Sequence, residues 1–113
     1  MKPDTRPQPS ILDEEECRSF QEAVELVGRR WSAAILLALS LGARRFGEIL
    51  ARVDNLSDRM LSLRLKELEA EGLVLRTVLP TTPVQVLYTL SDRGRELMTA
   101  LQPLVDWGRR SVR

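Results

Sequence analysis

A chain of 113 residues that is 43% hydrophobic and 4% aromatic has material for one domain with a modest core. It holds no histidine and a single cysteine, Cys17, which excludes a histidine general base, an internal disulfide and a multi-cysteine zinc site. The net charge of +1 hides an asymmetry: residues 1–28 carry three cations and seven carboxylates, net −4, which leaves +5 for residues 29–113.

The opening "MKPDTRPQPS" is proline-rich and polar, so residues 1–12 read as a disordered tail. It has no apolar h-region, so no secretory signal is expected. Asp13 then suits the N-cap of a first helix, with Glu14, Glu15 and Glu16 where the helix dipole favours anions. Phe20, Val24 and Val27 repeat at helical spacing, and Gly28 stops the helix. A second helix, from about Trp31 to Leu41, is apolar nearly all round and predicts the buried centre of the domain. Its most apolar run is about half of the roughly 20 residues that span a bilayer. The chain therefore reads as soluble and cytoplasmic, with no membrane contact, metal or cofactor.

A short third helix is predicted from Arg45 to Val53, with Phe46, Ile49, Leu50 and Val53 facing inward. Asp54 and Asn55 supply a turn. Ser57 caps a fourth helix that ends at Gly72. The pattern then changes to strand-like runs, "LVLRTVL" from Leu73 and "VQVLYTL" from Val84, joined through Pro80–Pro83. Ser91 caps a last helix bearing Leu97, Leu101, Leu104, Val105 and Trp107, in which Pro103 should cause a kink or a break. The fold class that follows is mostly α with a small β-hairpin: a winged helix-turn-helix over residues 13–113, with first and last helices forming a dimer interface.

The fourth helix, "SDRMLSLRLKELEAEGLV" with its flanks, points to a partner. At about 100° per residue, Leu61, Leu65 and Leu68 fall within about 60° of each other and face the core. Arg59, Leu63 and Lys66 lie roughly opposite, with Ser62 beside them and Met60 and Arg64 on the flanks. A polar face opposite a leucine stripe is by itself ordinary solvated surface. Here a turn, a preceding short helix and a following hairpin accompany it, as in a helix that enters the major groove of DNA. Arginine can bond guanine bidentately, serine reaches bases or phosphate, and leucine can touch a thymine methyl. Lys66 and the N-terminal amides suit phosphates, as do Arg44 and Arg45 before the third helix.

These residues resemble the HxlR-type regulators, a bacterial group of winged helix-turn-helix proteins in the MarR-like superfamily. The resemblance runs from about Cys17 to Trp107 and rests on several motifs in order: "VGRRWSAAILLAL", "GARRFGEIL", "LSDRMLSLRLKELEAEGLVLR", "VLYTLSDRGREL" and "DWG". It implies a homodimeric transcription factor, expected to repress, on a pseudo-palindromic double-stranded DNA operator. It places DNA contacts at Ser57, Asp58, Arg59, Ser62, Leu63 and Lys66, at the wing, and at Arg45 on the DNA backbone. Arg64 joins the expected set from its flanking position. The wing tip "PTTPVQ" is neutral where the family often carries a basic residue, so phosphate contacts are expected from Thr81, Thr82 and backbone amides.

Some relatives use a cysteine at the Cys17 position to sense oxidants or electrophiles. Cys17 is thus a candidate redox sensor, or else a small residue packed in the dimer interface. Phe20, Val24, Leu97, Leu101, Leu104, Val105 and Trp107 are the expected dimerisation residues, although the last helix's stripe also suits packing within one chain. Trp31 and Trp107 could flank a pocket for an unknown small-molecule effector, or simply pack. Two other functions compete. A winged helix used only for protein contacts would need no donors on the fourth helix. An enzyme finds no glycine-rich phosphate loop and no paired carboxylates in the sequence.

Overall fold

A computed structural model describes residues 13–112, so the expected tail, residues 1–12, lies outside the described residues. Five helices and an antiparallel hairpin follow in the order α1 (Glu14–Gly28), α2 (Ser32–Ser40), α3 (Phe46–Arg52), α4 (Asp58–Ala70), β1 (Val74–Leu79), β2 (Gln85–Leu90) and α5 (Asp92–Ser111). This is the winged helix-turn-helix that the sequence pattern predicts. The strands pair from Val74 opposite Leu90 to Leu79 opposite Gln85. Among the described residues, no helix is long and apolar enough to cross a membrane.

The apolar helix α2 is central because it has apolar side chains on nearly every side. Its Ile35 and Leu36 are fully buried. Ile49 of α3, Val53 just after it, Leu61, Leu65 and Leu68 of α4, Val74 of β1 and Met98 of α5 share one cluster with it. Fully burying a leucine stabilises a fold by roughly 1.5–3 kcal/mol, so the three α4 leucines hold that helix firmly.

Local chemistry sets the helix ends. Asp13, Ser57 and Ser91 each accept a hydrogen bond from a backbone N–H three residues ahead. Gly42 and Gly72 close α2 and α4 with φ of +104° and +75°, a left-handed geometry that glycine adopts without a Cβ clash. At each, two N–H groups turn back onto the last carbonyls: Gly72 to Glu69 and Leu73 to Leu68, both at 2.9 Å. Gly94 has another reason to be glycine. A Cβ there would collide with the Leu73 carbonyl oxygen, because the start of α5 lies directly on the start of β1.

The structure narrows two expectations. Pro103 does not break the last helix; α5 runs through it for 20 residues. Proline removes the N–H that would reach the Thr99 carbonyl, but Thr99 and Pro103 are both exposed, so water can satisfy that carbonyl. The α5 stripe also divides. Leu97 and Leu101 pack partly against the chain's own core, whereas Leu104 and Trp107 remain 58% and 52% exposed. Trp31 also packs on the core, so the two tryptophans have separate environments.

The first helix differs from the rest. None of its residues is buried, and Phe20 is 68% exposed.

Candidate nucleic-acid interface

The short α3, the turn at Asp54–Asn55 and α4 form the helix-turn-helix. Asn55 takes φ of +65°, a left-handed conformation that asparagine tolerates better than most residues. Ser57 then opens α4, its Oγ accepting the Met60 N–H at 3.1 Å. With Leu61, Leu65 and Leu68 buried, the opposite side must face outward. Asp58, Arg59, Leu63 and Lys66 are exposed there and Ser62 is half-buried. Leu63 stays 47% exposed despite being apolar. Among the described residues no hydrogen bond or ion pair engages the side chains of Arg59 or Lys66. This face therefore presents cationic donors, a hydroxyl and an apolar tip, all within the first three turns of a helix whose N-terminus is its positive end.

The wing is fastened to the same body. The Tyr88 N–H donates to the Arg44 carbonyl at 2.7 Å, and Arg45 Nη2 donates to Gln85 Oε1 at 2.9 Å. Glu48 folds back over the start of α3 and accepts the Arg45 N–H at 2.8 Å and the Arg44 N–H at 3.4 Å. These two backbone donors, followed by the Arg45 and Arg52 guanidiniums, hold the Glu48 carboxyl below the usual carboxylate range. The side chains of Arg44 and Arg45 remain exposed beside the hairpin.

Two expected contact residues are occupied otherwise. Arg64 Nε donates to the Arg30 carbonyl at 2.9 Å, and its Nη1 meets both Glu67 carboxylate oxygens. Its guanidinium thus faces the α1–α2 junction, away from the outer face. At the wing tip, the Thr81 N–H donates to Leu79 and the Thr81 hydroxyl to the Pro83 carbonyl at 2.7 Å. Thr81 therefore has no donor left for a phosphate, and of the two threonines only Thr82 retains one. Sequence reasoning missed Gln85, the wing partner of Arg45. It also passed over Arg76, the single cation of the hairpin, which is exposed on β1. Its isolation among apolar strand residues was the available signal.

A leucine-anchored helix with a donor-bearing outer face, a capped short helix before it and a rigidly attached hairpin define a DNA-binding winged helix-turn-helix of the transcriptional-regulator class. Comparison with known proteins gives the family. The chain belongs to the HxlR-like helix-turn-helix family, whose model matches residues 26–113. It is 47% identical over 93 residues to the uncharacterized HTH-type transcriptional regulator YvaP of Bacillus subtilis, covering 82% of this chain and 86% of that one. The HTH-type transcriptional regulator YodB of the same organism is 42% identical over 91 residues, covering 80% and 81%. A crystal structure of diamide-treated YodB superposes with a TM-score of 0.72 at 36% identity, covering 92% of this chain and 99% of that one. The redox regulator HypR in its oxidized form gives a TM-score of 0.78 at 29% identity, covering 84% and 98%. The protein is thus a transcriptional regulator, and its homologues are regulators, not enzymes.

Proposed function

We propose that this regulator is a homodimer that binds a pseudo-palindromic operator and represses by occluding RNA polymerase. One observation carries the reading: α4 buries Leu61, Leu65 and Leu68 and leaves Arg59, Leu63 and Lys66 exposed on the opposite side. In the complex, Arg59 and Ser62 bond base edges, Leu63 meets a thymine methyl, and Lys66, Arg44, Arg45 and Thr82 contact phosphates. Ser57 and Asp58 start the helix against the DNA. A dimer sets two such helices about 34 Å apart, in successive major grooves.

The exposed apolar side chains support the dimer. Phe20 and Val24 of α1 and Leu104 and Trp107 of α5 stay exposed in one chain, and Val105 lies beside them half-buried. Pairing α1 and α5 with those of a second copy removes this surface from water.

Cys17 is exposed on α1, and two similar proteins were solved as a diamide-treated form and as an oxidized redox regulator. On this reading Cys17 responds to an oxidant or electrophile. Because the chain has one cysteine, a reversible disulfide joins two subunits, with two electrons and two protons passing to the oxidant.

The test is to select DNA from a genomic library with the purified protein and sequence it. Arg59→Ala should weaken binding to the selected operator by about 10–100-fold, the cost of one bidentate base contact, with little change on random DNA. Equal losses on both would remove base reading by Arg59. Repeating the selection with a quinone, using wild type and Cys17→Ser, tests the sensor.

A further inference from the structure

The helix α4 has three faces. Between the buried leucines and the outward donors runs a flank of Met60, Arg64 and Glu67, spaced i, i+4 and i+7, and it meets the junction of α1 and α2. Arg64 grips that junction through the Arg30 carbonyl at 2.9 Å, 34 residues away in the chain. Its Nη1 is fixed by Glu67 at 2.9 and 3.0 Å, and Glu67 in turn reaches Arg29 at 3.4 Å. Only 16% of the Arg64 side chain is exposed.

The gripped segment is unusual. Trp31, the residue after the held carbonyl, takes φ of +78°, a left-handed conformation that is a true outlier for a bulky side chain. Such a backbone persists only where its surroundings over-determine it. Here the Arg64 bond holds one side, and the Arg30 guanidinium stacks 4.8 Å from the centre of the Trp31 ring on the other. Since α1 has no fully buried residue and meets the core through the partly buried Leu26 near its C-terminal end, this junction helps set its direction from the body.

We propose that Arg64 is a positioning residue: it fixes the angle between the DNA-reading helix α4 and the helix α1, and so sets the separation of the two reading helices in the dimer. This rests on the dimer reading given above. A 15-residue helix is about 22 Å long, so a 10° swing at the junction moves its far end by about 4 Å. That shift leaves one head able to bind one half-site and spoils simultaneous binding of two. Lysine, with a point charge and no planar fork, cannot hold the Arg30 carbonyl and both Glu67 oxygens in this geometry.

The experiment compares wild type, Arg64→Lys and Glu67→Gln by fluorescence anisotropy. The duplexes are the selected operator, one isolated half-site, and operators with the spacer lengthened or shortened by one base pair. Both variants should lose about tenfold or more on the operator, because avidity fails when geometry forbids joint engagement. They should change less than about twofold on the half-site, keep its salt slope, and lose the preference for the native spacer. Equal losses on operator and half-site, or a salt slope reduced by about one, would show that Arg64 touches DNA or merely stabilises α4, and would overturn the assignment. Native spacing preference retained in Arg64→Lys would overturn it too. A wild-type protein that itself prefers neither two half-sites nor one would overturn the dimer reading and this assignment together.

Discussion

Helices α1 and α4 look alike on a helical wheel and have opposite fates in the fold. They contain 15 and 13 residues, and each carries an apolar stripe opposite a charged one. In α4 the stripe of Leu61, Leu65 and Leu68 is sealed by the chain's own core. In α1 the stripe of Phe20 and Val24 is open. Amphipathicity states that a face must be covered. It does not state whether the same chain or a second one covers it.

Three substitutions separate the two helices, and a fourth probes α3. The largest effect is expected at Leu65, which is nearly inaccessible: Leu65→Ala should cost about 2–5 kcal/mol of folding stability in a denaturant titration. Phe20→Glu is the counterpart in α1. It should leave the folded body of a single chain intact and shift sedimentation toward single chains. If Phe20→Glu instead abolished folding and left association unchanged, the contrast between the helices would be wrong.

A smaller effect belongs to the helix cap. Ser57→Ala removes the acceptor of the Met60 N–H and should lower stability by about 1 kcal/mol, seen as a reduced melting temperature. The smallest is at Glu48, on the exposed surface of α3. Its folded-state pKa is depressed, so its contribution is present above the unfolded carboxylate pKa. That contribution is lost as pH falls through the folded value. Glu48→Gln should therefore be less stable than wild type near pH 7, and the gap should close as pH falls through the depressed folded-state pKa of Glu48, in parallel urea titrations.

Much of the candidate site, the exposed face of α4, was legible because its determinants are local. Ser57 and Gly72 mark the ends of α4, and the leucine spacing gives its inner face, hence its outer one. The same reasoning did not foresee the partners that Arg64 and Thr81 find within the chain. A wheel shows where a side chain emerges, not which distant carbonyl waits there. Arg64 meets Arg30 only because the α1–α2 junction folds over the α4 flank. Thr81 turns back on Pro83 within the wing tip, a detail of loop geometry that composition does not reveal. Pro103 does not break α5 for a related reason: proline disfavours a helix interior, but on an exposed ridge water relieves the lost bond.

By itself, the sequence determined the order of elements, their caps and stops, and which side of α4 is apolar. Those features arise from interactions within about four residues along the chain. Only the tertiary structure decided that Arg45 ties α3 to the wing through Gln85, that Leu97 and Leu101 serve the chain's own core, and that Arg64 holds the α1–α2 junction. Such choices depend on which remote segment arrives beside a side chain, and three-dimensional packing settles that where periodicity cannot.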